Sequence, residues 1–147
     1  MKTLQDLKNL IFEYESKYRG PKLEPLKISE LYDLSKKKSD QQDSNSWPKK
    51  YPNADYPGVY VFLNKNKEIL YIGKASFNNT LGSRISSYIR WDKSKDGCEM
   101  YHEWKQVPFY LATIRVEVTK SFEAPAIEEF LIKALEPIEN KVGINKN

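Results

Sequence analysis

The sequence predicts an α+β protein: a small, mainly antiparallel three-stranded sheet flanked by helices, with an α-helical N-terminal extension. Three observations lead there. The chain opens on an amphipathic helical repeat. Two β-branched and aromatic runs follow in its middle, four residues apart, and a third run precedes a return of helical periodicity. With 147 residues the chain has room for one domain and an arm, and a domain of that size folds without disulfides.

Leu4, Leu7, Leu10, Ile11, Tyr14 and Tyr18 recur at helical spacing, so residues 4–18 read as an amphipathic helix that Gly20 and Pro21 end. Ser29 is placed to cap a second short helix carrying Leu31 and Leu34. Lys36–Ser46 contains no apolar residue and reads as an exposed loop. It separates a helical extension, residues 1–50, from a main domain, residues 51–147. Gly58–Leu63 and Glu68–Ile72 then form a hairpin across Asn64–Lys67. A turn centred on Lys65–Asn66 sets Tyr60 opposite Tyr71, with Cβ atoms roughly 5 Å apart on one face. A one-residue slip would part them.

Residues 81–91 read as a helix with Leu81, Ile85 and Ile89 on one stripe and Arg84, Tyr88 and Trp91 on the next. Residues 92–106 are poorly patterned. Val107–Val118 is the third strand region, where Pro108 implies an edge position or a late start. Pro125 suits the first turn of a last helix. Ile127, Phe130, Leu131, Ala134 and Leu135 keep its period, and Pro137 stops it.

Composition narrows the chemistry. Cys98 is the only cysteine, which removes an internal disulfide and a cysteine-based zinc site. His102 is the only histidine, which removes metalloprotease and His-rich nuclease designs. Neither residue is given a functional role. No signal segment or membrane-length apolar run is visible, so the expected location is cytoplasmic. The net charge of +4 suits a polyanionic partner. The excess sits mostly in residues 1–50, which hold 11 Lys/Arg against 8 Asp/Glu.

Gly58-Val59-Tyr60 followed by Tyr71-Ile72-Gly73-Lys74 resembles the paired motif that names the GIY-YIG nucleases. LGSRISSYI resembles that family's helix with an Arg and, four residues on, a Tyr. VEVTKSFEAPAIEEFLIKALEPIEN resembles its segment with a metal-binding Glu, then IK, then a Pro three residues before an Asn. The similarity is nearest to the N-terminal nuclease domain of the bacterial excision-repair endonuclease and covers about residues 56–142.

The resemblance implies a metal-dependent endonuclease acting on DNA, with RNA not excluded. Its catalytic set would be Tyr60, Tyr71, Lys74, Arg84, Tyr88, Glu128 and Asn140, with Glu128 holding Mg²⁺ or Mn²⁺. The residues themselves separate the two adjacent glutamates. Glu129 has Lys133 four residues on, an ordinary solvated helix pair. Glu128 instead faces Ile132 and Leu135, and a carboxylate beside an apolar stripe needs a partner such as a metal.

The resemblance makes Tyr60 a general base or its relay, a role that needs nearby positive charge to favour the phenolate, since free Tyr titrates near 10. Read alone, Tyr60 is more readily a core or sheet-surface aromatic, and Tyr71 is equally a packing partner. Arg84 offers a fork of donors to a phosphate, and Lys74 neutralises charge or orients water. Tyr88 supports the site by a hydrogen bond, and Asn140 is placed to hold backbone. Trp91, Trp104, Arg90 and Lys93–Lys95 suit a nucleic-acid groove, although packing explains the tryptophans as well. The alternative function is a catalytically silent nucleic-acid-binding module of the same fold. Natural substrate, biological role and oligomeric state stay open.

Overall fold

The computed structural model describes residues 1–40, 45–101 and 103–140. His102 and part of the predicted 36–46 loop therefore lie outside the described residues. The elements run α1 (Leu4–Tyr18), β1 (Tyr32–Asp33), β2 (Gly58–Leu63), β3 (Ile69–Ala75), α2 (Leu81–Ser86), β4 (Ile89–Trp91), β5 (Cys98–Met100), β6 (Tyr110–Arg115) and α3 (Glu123–Leu135). The main sheet has the order β1-β6-β2-β3 and is antiparallel throughout. Its centre, β6-β2-β3, is the expected three-stranded sheet; β1 lengthens it by one short edge strand. Strands β4 and β5 form a separate hairpin.

All six residues of β2 are buried because both faces of the sheet are covered. Val59, Val61 and Leu63 point into one core with Leu7 and Ile11 of α1 and Ile127 and Leu131 of α3. Tyr60 and Phe62 point into the other, with Tyr32, Leu81, Ile85 and Leu111. A strand buried on both faces reads as a continuous apolar run, not as an alternation. Each fully buried side chain of this kind contributes about 1.5–3 kcal/mol, so the central strand anchors both layers.

Helix α1 begins where the Thr3 backbone N–H donates to the Asp6 carboxylate at 2.8 Å. It buries Leu7, Ile11 and Tyr14, and Tyr14 meets Phe130 of α3 with ring centroids 5.4 Å apart. Arg19, just past α1, pairs with Glu123 at the start of α3 at 2.5 Å, with both side chains largely buried. In α3, Pro125 lies in the first turn, Glu136 adopts the left-handed conformation at the C-terminus, and Pro137 follows. Among the described residues, no helix is long and apolar enough to cross a membrane.

Two predicted elements differ. Ser29 caps no helix: residues 28–34 run extended along β6, with Ser29 N–H donating to Thr113 O at 2.8 Å and Leu34 N–H to Phe109 O at 2.9 Å. The open edge of β6 offers residues 28–34 backbone partners, which a short helix there would leave unpaired. The predicted helix over 81–91 stops at Ser86. Ser87 Oγ donates to Arg84 O at 2.6 Å, and residues 89–91 turn into β4. Local serine bonding of this kind competes with helix continuation. Trp91 therefore leaves the Arg84–Tyr88 stripe and packs on Trp47, with centroids 4.9 Å apart. Pro108 marks a late start, since β6 begins at Tyr110 and lies between β1 and β2.

Candidate active site

The hairpin register places the first site residues. Tyr60 pairs with Gly73, and Tyr71 pairs with Phe62, so the expected Tyr60–Tyr71 opposition is displaced by two residues. The turn explains most of this. Lys67 adopts φ +62° and donates its N–H to Asn64 O, so the chain makes a turn followed by a left-handed residue. A further irregularity lies between Phe62 and Leu63. A two-residue slip keeps every side chain on its face. Tyr60 and Tyr71 are therefore still neighbours, with ring centroids 6.2 Å apart.

Gly73 makes this arrangement possible. A Cβ there would lie 2.6 Å from Tyr60 Cε2 and closer still to Cζ and the hydroxyl. The Tyr60 ring thus occupies the space that a side chain on β3 would fill. Tyr88, just beyond α2, closes the group. Its hydroxyl lies 3.3 Å from that of Tyr60 and 3.0 Å from that of Tyr71. Three tyrosine hydroxyls from β2, β3 and the end of α2 therefore form one chain. Trp104 packs edge-on against Tyr71 at 5.8 Å and against Phe62 at 5.6 Å. It supports the cluster, and its indole N–H is buried without a partner among the described residues.

Tyr60, Tyr71, Lys74, Arg84 and Glu128 line one cavity of about 260 Å³, with Gly73, Ser76, Phe77 and Asn79. Leu81 and Ile85 anchor α2 in the core and leave Arg84 on its exposed face. Thr80 Oγ1 caps that helix by accepting from Ser83 N–H at 3.2 Å. Glu128 lies on α3 between buried Ile127 and exposed Glu129, and is itself half-buried. Lys74 at the end of β3 donates to Ser76 Oγ at 3.3 Å.

Burial pushes the Glu128 carboxyl above its ordinary range, while Lys74 and Arg84 pull it back. Burial likewise raises Tyr60 and Tyr71 far above an ordinary phenol, reinforced by Tyr88, and Arg84 offsets this only weakly for Tyr60. The charge around Tyr60 thus falls short of favouring a phenolate, and at neutral pH both tyrosines are protonated. Among the described residues no group of three or more His, Cys, Asp or Glu is placed to hold a metal ion. The donor set is one half-buried carboxylate in a polar cavity, which fits an ion such as Mg²⁺ that takes one or two carboxylates and completes its shell with water and phosphate.

Asn140 does not reach the cavity lining. Its Oδ1 accepts from Ile72 N–H at 2.9 Å and its Nδ2 donates to Ile72 O at 2.8 Å. It therefore acts as a substitute strand partner along the open edge of β3, between Tyr71 and Gly73. Trp91 and Arg90 lie away from the lining; Arg90 is engaged by Glu99 at 2.5 Å and by the Tyr101 ring. Sequence reasoning missed Ser76, Phe77 and Asn79, because residues 74–80 carry only a loop signal.

The model of the UvrC-like GIY-YIG domain matches residues 56–141, a span that holds the whole tyrosine cluster, Lys74, Arg84, Glu128 and Asn140. The chain belongs to the GIY-YIG family. Three relatives named UvrABC system protein C share this region. Identity is 42% over 84 residues in Borrelia garinii subsp. bavariensis, 36% over 85 in Prosthecochloris aestuarii and 31% over 84 in Mesoplasma florum. These alignments cover 56–57% of this chain and only 12–13% of each relative. Membership makes this a chain of a nuclease family, and its GIY-YIG hairpin is the β2–β3 pair that carries Tyr60 and Tyr71.

Proposed function

We propose that the chain is a metal-dependent endonuclease that hydrolyses phosphodiester bonds in DNA in the cytoplasm. The observation that carries this is the convergence of one carboxylate, two cations and a chain of tyrosine hydroxyls on a single small cavity. Hydrolysis needs a positioned water, charge relief on the phosphate and help for the leaving oxygen. Arg84 presents its fork of donors to the non-bridging phosphate oxygens, and Lys74 adds a point charge beside them. Tyr60 directs its own proton to Tyr88, which leaves its oxygen lone pair to accept from the attacking water. Its raised pKa suits a relay that orients water, not a phenolate base. Mg²⁺ or Mn²⁺ held by Glu128 would supply the Lewis acidity that lowers the pKa of water and offsets phosphate charge.

Arg84 tests this directly. Loss of one preorganised donor to a transition-state oxyanion costs about 10²-fold or more. Arg84→Ala is therefore expected to slow single-turnover cleavage of saturating DNA by about that factor, with Arg84→Lys intermediate. An exposed helix residue has little structural role, so thermal melting should not change. Unchanged cleavage by Arg84→Ala would remove Arg84 from the reaction. A wild type that binds DNA but cleaves none under any metal condition would instead favour a silent binding module.

A further inference from the structure

Phe77 breaks two local rules at the rim of the cavity. The residue is 86% exposed, the highest value among the exposed large apolar residues, and its ring stacks on no other aromatic among the described residues. Its backbone sits at φ +57°, in the left-handed region that Gly, Asn and Asp occupy far more readily. The residue is the second of a tight turn closed by Asn79 N–H donating to Ser76 O at 3.1 Å, a position where a positive φ favours glycine. The fold thus holds an aromatic side chain in an unfavourable conformation and gains no packing from it. Strain without local compensation marks functional segments.

The surroundings say what the ring meets. Ser76 on one side is buried and bonded to Lys74, so the turn is tied to the cationic wall of the cavity. Phe77 and Asn79 line that cavity together with Lys74, Arg84 and Glu128. A phosphate held there brings its flanking nucleosides to the rim. An exposed aromatic face beside cations that track a backbone is the arrangement that stacks on bases. The geometry points to Phe77 as a base-stacking residue that receives an unpaired nucleobase next to the scissile phosphate and so sets the position of the cut. This rests on the nuclease reading above, and it names a structure preference within it: DNA with a base free to leave its stack, such as a gap or frayed step.

The test uses the full chain in EDTA and two fluorescein-labelled duplexes, one with a gap of unpaired bases and one with abasic residues in the same gap. Base stacking on an aromatic is worth about tenfold or more in affinity. Phe77→Gly should weaken binding to the base-containing gap by that factor, while Phe77→Trp keeps it. On the abasic gap the wild type should bind as weakly as Phe77→Gly. The salt dependence of binding should be the same in all of them, because no phosphate contact is lost. Phe77→Gly should melt at or above the wild-type temperature, since glycine relieves the turn, which separates lost stacking from misfolding. Equal affinity of wild type and Phe77→Gly for the base-containing gap would overturn the stacking role and leave the nuclease reading standing. A wild type that neither binds these duplexes nor nicks plasmid would overturn both.

Discussion

Glu128→Gln is expected to lose DNA cleavage by at least about 10³-fold and, without metal, to melt slightly above the wild type. The two effects have one origin. The carboxylate is half-buried on α3, beside an apolar stripe, and burial raises its pKa despite Lys74 and Arg84. A charge held where the fold would sooner have a neutral group is a stability cost kept for function. The sign follows from proton linkage. With the folded pKa above the ordinary 4.5, the native state binds more protons than the unfolded one between those values. Wild-type stability therefore falls as pH rises through that window. The glutamine variant has no such group, so its advantage is complete at neutral pH and disappears below about pH 4.5. Screening by solvent and by two cations keeps the gain small, about 1–3 °C in melting temperature. Added Mg²⁺ should raise the melting temperature of wild type but not of Glu128→Gln, because only a site that binds the native state stabilises it. Equal metal-induced shifts in both proteins would place the metal elsewhere.

Gly73→Ala is expected to damage the sheet and the site together. The Cβ would overlap the Tyr60 ring, which is fully buried and hemmed in by Phe62, Tyr71 and Tyr88. The usual cost of overpacking a core is about 1–3 kcal/mol, and here a whole ring must shift within a wall of rings. At the upper end this lowers the melting temperature by roughly 6–12 °C for a chain of this size. Cleavage should fall with it, because Tyr60 must leave its contact with Tyr88. A second substitution separates the two effects. Tyr60→Val removes the ring at the cost of a cavity, so adding Gly73→Ala to it should cost little further stability, and the double variant should not regain cleavage. Coupling between the two positions would then exceed about 1 kcal/mol, as expected for residues in direct contact. Additive destabilisation would show that the ring is not what forbids a side chain at position 73.

Residue types and spacing showed the hairpin and the helical stripes, whereas the choice of site residues came from the resemblance to the GIY-YIG nucleases. The even-numbered face of β2 survives a two-residue error in register, which is why Tyr60 and Tyr71 are neighbours although they are not opposed. Glu128 and Glu129 separate as the helical stripe implies, one half-buried and one exposed. The unread features depend on contacts distant in sequence. Whether residues 29–34 coil or extend is decided by the unpaired edge of β6, some eighty residues later. Residues 89–91 carry helical spacing with α2, but their partner strand lies in a stretch without pattern. The register itself turned on Lys67 taking a left-handed conformation, which a lysine does not advertise. The same blindness hid Phe77, whose positive φ is visible only in the folded turn.

Supercoiled plasmid incubated with wild type and Glu128→Gln, each in Mg²⁺, Mn²⁺ or EDTA, decides whether this cavity hydrolyses a phosphodiester backbone with the help of a metal on Glu128. Nicked plasmid is expected only with wild type and only with a divalent ion. Nicking that persists in EDTA, or that Glu128→Gln retains in full, would contradict it.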